Sequence, residues 1–128
     1  MRSGHASMAP NERVLVVEDQ DDIRELVALV LRNEGYCVAT ADNGVVALEE
    51  VERKPFAVVL LDMRMPVMDG WAFADAYRKR PGPHAPIVVL TAAQDAAARA
   101  AQIRADAYLG KPFELEDLLS VVARYARG

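Results

Sequence analysis

The chain carries one cysteine, Cys37, and two histidines, His5 and His84, among 128 residues. A single thiol excludes an internal disulfide, and a cysteine-based metal site needs more than one thiolate. Within "YCVATA", Cys37 reads as a small buried strand residue. No stretch approaches the ~18 consecutive apolar residues that span a bilayer, and no basic, apolar, small-residue leader opens the chain. A cytoplasmic, non-secreted protein without a membrane role is therefore expected. Basic clusters interleaved with aromatics are also missing, and 19 acids against 15 bases leave a net charge of −4. Direct nucleic-acid binding by this chain is accordingly not expected. Neither an internal repeat nor a low-complexity tract is present, which sets solenoid and linker readings aside.

What is there suits one domain. Apolar residues make up 52% and charged residues 27% of a length that allows a core of two or three layers. Residues 1–10, "MRSGHASMAP", are small and polar, with a second methionine at Met8. They read as a disordered expression leader or frayed terminus, and the folded domain is expected over residues 11–128.

Within that domain, apolar runs alternate with helical periods. "RVLVV" (13–17) is continuous and β-branched, as a strand buried on both faces requires, and it stops at Glu18. From Asp22 onward Ile23, Leu26, Val27, Val30 and Leu31 recur at the helical period. Asp22 and Glu25 are spaced like a capping box, and Gly35 is the stop. "YCVATA" predicts a second strand, and "NGVVALEEVER" a second helix that Pro55 ends. "FAVVLLD" is the third strand. A helix from Gly70 to Arg80 carries Phe73 and Tyr77 one turn apart until "RPGPHAP" breaks it. "IVVLT", the alanine-rich helix "AQDAAARAAQI", the short strand "AYLG" and the helix "ELEDLLSVVARYA" complete five strand-helix units. Short, right-handed connections make such a chain a parallel sheet with helices on both faces, and ligands then bind beyond the carboxyl ends of the strands.

That geometry gathers particular residues. Glu18 and Asp19 end the first strand, Asp62 the third and Thr91 the fourth, and Lys111 follows the fifth. Taken singly, each reads more readily as scattered surface charge; five polar residues at strand C-termini do not. Three converging carboxylates raise one another's pKa unless a cation shares the site. Oxygen ligands without histidine or thiolate point to Mg²⁺, which commonly binds one or two carboxylates together with phosphate oxygens. Lys111 and the Thr91 hydroxyl are then placed to contact a phosphoryl group, and a carboxylate is a competent acceptor of one.

These residues resemble the receiver domains of bacterial two-component response regulators, over essentially Arg13 to Tyr125. "VVED" resembles the family's acidic pair, "LLDMRMPVMDG" its phosphoacceptor signature, "VVLTA" its switch threonine or serine, and "YLGKPF" its lysine-proline block. The resemblance implies a flavodoxin-like, doubly wound α/β fold with five parallel strands in the order 2-1-3-4-5, similar to the chemotaxis response regulator. It implies that Asp62 is the phosphorylated aspartate, that Asp19 and Asp62 ligate Mg²⁺ together with the backbone carbonyl of Arg64, and that Glu18 acts through a metal-bound water. Thr91 is similar to the hydroxyl residue that moves on activation, Lys111 to the phosphate-contacting lysine and Tyr108 to the aromatic that turns inward. A cis bond before Pro112 is implied as well. The implied partners are a sensor histidine kinase or phosphotransfer protein, and an effector or second copy at the face of the fourth helix, fifth strand and fifth helix. The implied activity is a signalling switch and not an enzyme, with self-catalysed phosphotransfer and slow autodephosphorylation at most.

Two departures from the family pattern stand out. Arg104 occupies a position where glycine is usual, so the fourth helix is expected to end by a route other than a left-handed glycine. The span from Thr91 to Lys111 is also about two residues shorter than in the best-known members, and its helix has Ile103 as its single large apolar residue, which predicts weak docking. Phosphorylation of Asp62 is expected to draw Thr91 inward and to re-pack Tyr108 and that helix. Met63, Met65 and Met68 read mainly as loop packing, and Trp71 as a partly buried anchor. Two alternatives stay open. A haloacid-dehalogenase-like phosphatase also uses an aspartyl phosphate, but its second acid is replaced by Arg64; the other is a receiver-like scaffold that does not take phosphate. The residues also leave open whether the chain stands alone or belongs to a larger regulator or hybrid kinase.

Overall fold

The computed structural model describes residues 12–126, so the leader expected over residues 1–10, with His5 and Met8, lies outside the described residues. Five strands are present: β1 (Arg13–Val17), β2 (Cys37–Ala41), β3 (Val58–Asp62), β4 (Ile87–Ala92) and β5 (Ala107–Lys111). They alternate with α1 (Asp21–Asn33), α2 (Gly44–Arg53), α3 (Gly70–Lys79), α4 (Ala93–Ile103) and α5 (Leu115–Ala126). The strands pair in parallel in the order β2-β1-β3-β4-β5, the flavodoxin-like arrangement expected. The chain winds one way from β1 to β2 and the other way from β3 onward, so a crevice opens beyond the ends of β1 and β3.

Side chains alternate across each strand, and each face therefore has its own core. On one face Leu15, Val17, Val59, Leu61, Ile87 and Val89 meet Ala47 of α2, Phe73, Ala74 and Tyr77 of α3, and Ala100 and Ile103 of α4. On the other, Val14, Val16, Val58, Leu60, Val88 and Leu90 meet Val27 and Leu31 of α1 and Leu118, Val122 and Ala126 of α5. Phe73 is fully buried and stacks on Tyr77 with ring centroids 5.5 Å apart. Burial of one such ring contributes roughly 1.5–3 kcal/mol, which fixes α3 against the strand that carries Asp62.

Several local expectations need correction. Cys37 is exposed, not buried, because it opens β2, the edge strand of the sheet. The capping box does not form: α1 starts at Asp21 with Gln20 as N-cap, and the Asp22 carboxylate accepts from the N–H of Ile23 at 2.9 Å. Leu26 belongs to the apolar stripe by period, yet it is 48% exposed. Strand β4 continues to Ala92, and β5 includes Lys111 rather than ending before it.

The end of α4 is the largest departure. Arg104 itself takes the left-handed conformation, φ 54° and ψ 45°, and its N–H reaches back to the last turn of α4. Arg78 of α3 holds this strained end from outside the helix, donating to the carbonyl of Ile103 and, at 3.1 Å, to that of Arg104. A guanidinium thus does at the helix C-terminus what an αL glycine does by conformational freedom, satisfying carbonyls and answering the dipole. The side chains that α4 buries are Ala96, Ala100 and Ile103, a smaller apolar surface than α1 or α5 presents.

A second strained residue lies in the loop after β3. Val67 has φ 70° and is 82% exposed, with the N–H of Met68 bonded to the Pro66 carbonyl across it at 2.8 Å. A β-branched residue with positive φ is a steric outlier. The left-handed region costs about 1–2 kcal/mol for a residue with a Cβ, against roughly 0.4–1 kcal/mol of extra unfolded-state freedom for glycine. Val67→Gly and Arg104→Gly should therefore each stabilise the chain by about 0.5–1 kcal/mol. Urea unfolding with an unchanged slope is the measurement, and a lower midpoint in both variants would contradict the strain assignment.

Candidate functional site

The end of β1 is set by its neighbours. The N–H of Glu18 continues the pairing to β2 by donating to Ala41 O at 3.0 Å, which carries Glu18 inward to complete burial. Arg24 of α1 donates to Glu18 O at 2.9 Å, and the Gln20 N–H donates to Glu18 Oε2 at 3.1 Å. Asp62 is the last residue of β3, paired between β1 and β4, and is 5% exposed. Gly70 lets the chain return over it: a Cβ there would lie 2.8 Å from the Asp62 carbonyl oxygen and 2.6 Å from Met63 Sδ. Gly110 does the same for the other wall, since a Cβ would meet Ala93 Cα at 2.5 Å. Gly110 pairs with Thr91, and Lys111 with Ala92, so β5 brings the lysine level with the acids.

Five sequence-selected residues therefore meet. Glu18, Asp19 and Asp62 each offer a carboxylate oxygen, all within 4.8 Å of one another. Lys111 Nζ lies 2.6 Å from Glu18 Oε1 and 3.6 Å from Asp62 Oδ1, despite the short span from Thr91. Thr91 is buried beside them and lines the same cleft. Tyr108 stands apart from the cluster, half-exposed on β5 and paired with Val89. The Lys111–Pro112 peptide bond is cis. His84 lies at the far end of the sheet, its ring nitrogen 2.8 Å from Arg80 O.

Burial pushes the Asp62 carboxyl up to about 7; the Glu18 charge adds to this, Lys111 opposes it, and Asp19 adds again. The electrostatic field thus asks for further positive charge. Glu18 Oε1 is buried without an aligned hydrogen-bond donor, although Lys111 pairs with it as a charge. An all-oxygen donor set of three carboxylates answered by one ammonium fits a hard divalent cation, so the acidic cluster can bind a metal.

One feature of the site escaped the sequence. A cleft of about 650 Å³ opens from Asp62, walled by Ile23, Leu26 and Val27 of α1 and by Pro112, Phe113 and Leu115 at the start of α5. Leu26 is the side chain whose periodicity pointed to the core and whose exposure puts it on this rim. The signal was its place at the margin of the α1 stripe, which only the position of α5 resolves.

A doubly wound sheet with an acidic cluster at its switch point and a lysine facing it is the kind of strand-end site at which such folds bind ligands. The response regulator receiver domain family matches residues 14–123, and the chain belongs to that family. It is 39% identical over 118 residues to the response regulator protein FleR of Pseudomonas aeruginosa, covering 91% of this chain and 25% of that one. It is 39% identical over 117 residues to the response regulator MprA of Mycobacterium leprae, covering 90% and 51%. The chain thus spans between a quarter and about half the length of these curated relatives. Its fold matches the receiver domain of sensor histidine kinase PA1611 from Pseudomonas aeruginosa, a structure with a magnesium ion coordinated in the active site cleft. The TM-score is 0.83 and the identity 30%, over 91% of this chain and 98% of that one. It is a receiver domain of two-component signalling. Among the described residues no helix is long and apolar enough to cross a membrane.

The raised Asp62 pKa has a sign that can be tested. The folded chain holds this proton more tightly than the unfolded chain does. The stabilising contribution is therefore present below the unfolded value near 4 and is lost as pH rises through about 7. Asp62→Asn removes the buried charge. It should stabilise the chain by roughly 2–4 kcal/mol at pH 8 and by little at pH 4, read as urea midpoints at the two pH values. An equal gain at both would show that charge is not the cause.

Proposed function

We propose that this receiver domain accepts a phosphoryl group on Asp62 from the phosphohistidine of a sensor histidine kinase or phosphotransfer protein. The observation that supports it best is the buried Asp62 carboxylate, 3.6 Å from the Lys111 ammonium and within reach of two further acids. An Asp62 oxygen attacks the phosphorus as the P–N bond to the partner's imidazole breaks, and the bonding pair returns to the ring nitrogen. The product is an aspartyl phosphate. Asp19, Asp62 and the Arg64 carbonyl would hold Mg²⁺ with Glu18 beside them, and the ion would neutralise charge on the transferring group. Lys111 turns from Glu18 to a phosphoryl oxygen, and the Thr91 hydroxyl donates to another.

The apolar walls of the cleft suit the helix that presents the histidine, with Ile23, Leu26 and Leu115 as contacts. Output follows at the opposite side of the site. Thr91 moves toward the phosphoryl group, Tyr108 turns inward from its half-exposed position, and α4 re-packs. The face of α4, β5 and α5 then binds an effector or a second copy. The chain acts in the cytoplasm as a switch, with slow autodephosphorylation at most.

Two measurements test this reading. Incubation with Mg²⁺ and acetyl phosphate should add one phosphate by intact mass to the native chain and none to Asp62→Asn. Rapid turnover of unrelated phosphoesters would instead favour an aspartyl-phosphate phosphatase, and absence of labelling a phosphorylation-independent scaffold. Amide exchange across residues 92–103 should differ with and without a phosphoryl mimic; identical protection would remove the proposed movement of α4.

A further inference from the structure

Trp71 is the sole tryptophan of the chain, and it sits in the first turn of α3, next to Gly70. Its indole N–H donates to Gln102 Oε1 of α4 at 2.7 Å. Two guanidinium groups lie over its ring, Arg99 of α4 at 5.4 Å and Arg64 at 5.8 Å from the centroid. The two arginines are not equivalent. Arg99 is mostly covered and stands 3.9 Å from Asp95 one turn back. Arg64 is exposed, belongs to the loop two residues after Asp62, and lines the same cleft as Asp62, Thr91 and Lys111. No acidic side chain pairs with Arg64 among the described residues.

We infer that the Arg64 side chain is a movable positioning group: it rests on Trp71 and crosses to the phosphoryl oxygens when Asp62 is loaded. This rests on the phosphoacceptor reading above. The energetic ordering comes from two general facts. A cation over an aromatic ring at an exposed site is held weakly, whereas a charge-assisted hydrogen bond from a guanidinium to phosphate is among the stronger contacts a side chain makes. A phosphoryl group brings about −1.5 to −2 charges into a cleft that already carries three carboxylates, and Arg64 is the cation of that cleft which is free of an acidic partner. Lys111, by contrast, is already paired with Glu18.

Departure of Arg64 leaves Trp71 held from the α4 side alone, by Arg99 and Gln102. Trp71 therefore passes the state of Asp62 to α4 by a route separate from Thr91, and its emission reports the change.

The test follows Trp71 emission while beryllium fluoride, a phosphoryl mimic, is titrated in the presence of Mg²⁺. The native chain should show a saturable change. Arg64→Ala should start from a displaced emission, lose most of the change, and need a several-fold higher beryllium fluoride concentration. Arg99→Ala should shift the starting emission but keep the change. If Arg64→Ala gave the full native change at the native midpoint, Arg64 would be ordinary surface packing on an indole. Intact mass after acetyl phosphate treatment separates the two readings. A native chain that gains one phosphate while Arg64→Ala behaves as native in fluorescence overturns this inference alone. A native chain that neither gains phosphate nor responds to beryllium fluoride overturns the phosphoacceptor reading, and this one with it.

Discussion

Three carboxylates meet at one edge of the sheet, Glu18 and Asp62 buried and Asp19 partly so, and the rest of the site depends on how that repulsion is answered. Lys111 is the cation within the chain that reaches two of them, and one ammonium cannot neutralise three acids. The result is visible in Asp62, whose proton is held to about pH 7. An uncompensated buried charge costs several kcal/mol, so a fold keeps such a cluster only where the surrounding structure over-determines it. Here that structure is the sheet. Asp62 is fixed between β1 and β4, and Glu18 by the pairing of its own backbone to β2. The same field that destabilises the resting acids favours a divalent cation among these oxygens.

The elements around the site are held unequally. Toward β1 and β3 the strands are buried on both faces, and α1 and α5 add Val27, Leu31, Leu118 and Val122 to the core. On the side of Thr91, α4 buries two alanines and one isoleucine at or near full burial, then relies on Arg78 and on the Trp71 contact to stay in place. Polar contacts at a surface exchange with water more readily than packed side chains do. The two strained residues lie apart: Arg104 ends α4, whereas Val67 precedes Met68, whose carbonyl accepts from the N–H of Gly44 at the start of α2 at 2.8 Å.

Much of this was legible in the residues. Continuous β-branched runs gave the strands, the 3.6-residue period gave the helices, and the rule that ligands sit beyond strand ends brought Glu18, Asp19, Asp62, Thr91 and Lys111 to one place before any coordinates did. The failures were local and share a cause. Cys37 was read inward because its strand is apolar, but an edge strand has one open side. Leu26 was read inward by periodicity, but period fixes a face of a helix and not the width of what covers it. Arg104 stands where a glycine would end the helix, so another route was expected, and yet the arginine takes the left-handed conformation itself. The cost is accepted because Arg78, distant in sequence, satisfies the carbonyls that conformation exposes.

The sequence by itself determined the order of elements and which polar residues end at the carboxyl edge of the sheet, because these depend on periodicity and chain connectivity. Only the tertiary structure decided the distances among those residues, the raised proton affinity of Asp62, the apolar cleft between α1 and α5, and the two arginines over Trp71. Each of these depends on side chains far apart along the chain and on how much water lies between them. No local pattern encodes that quantity, and it is the one that sets the chemistry of the buried acids.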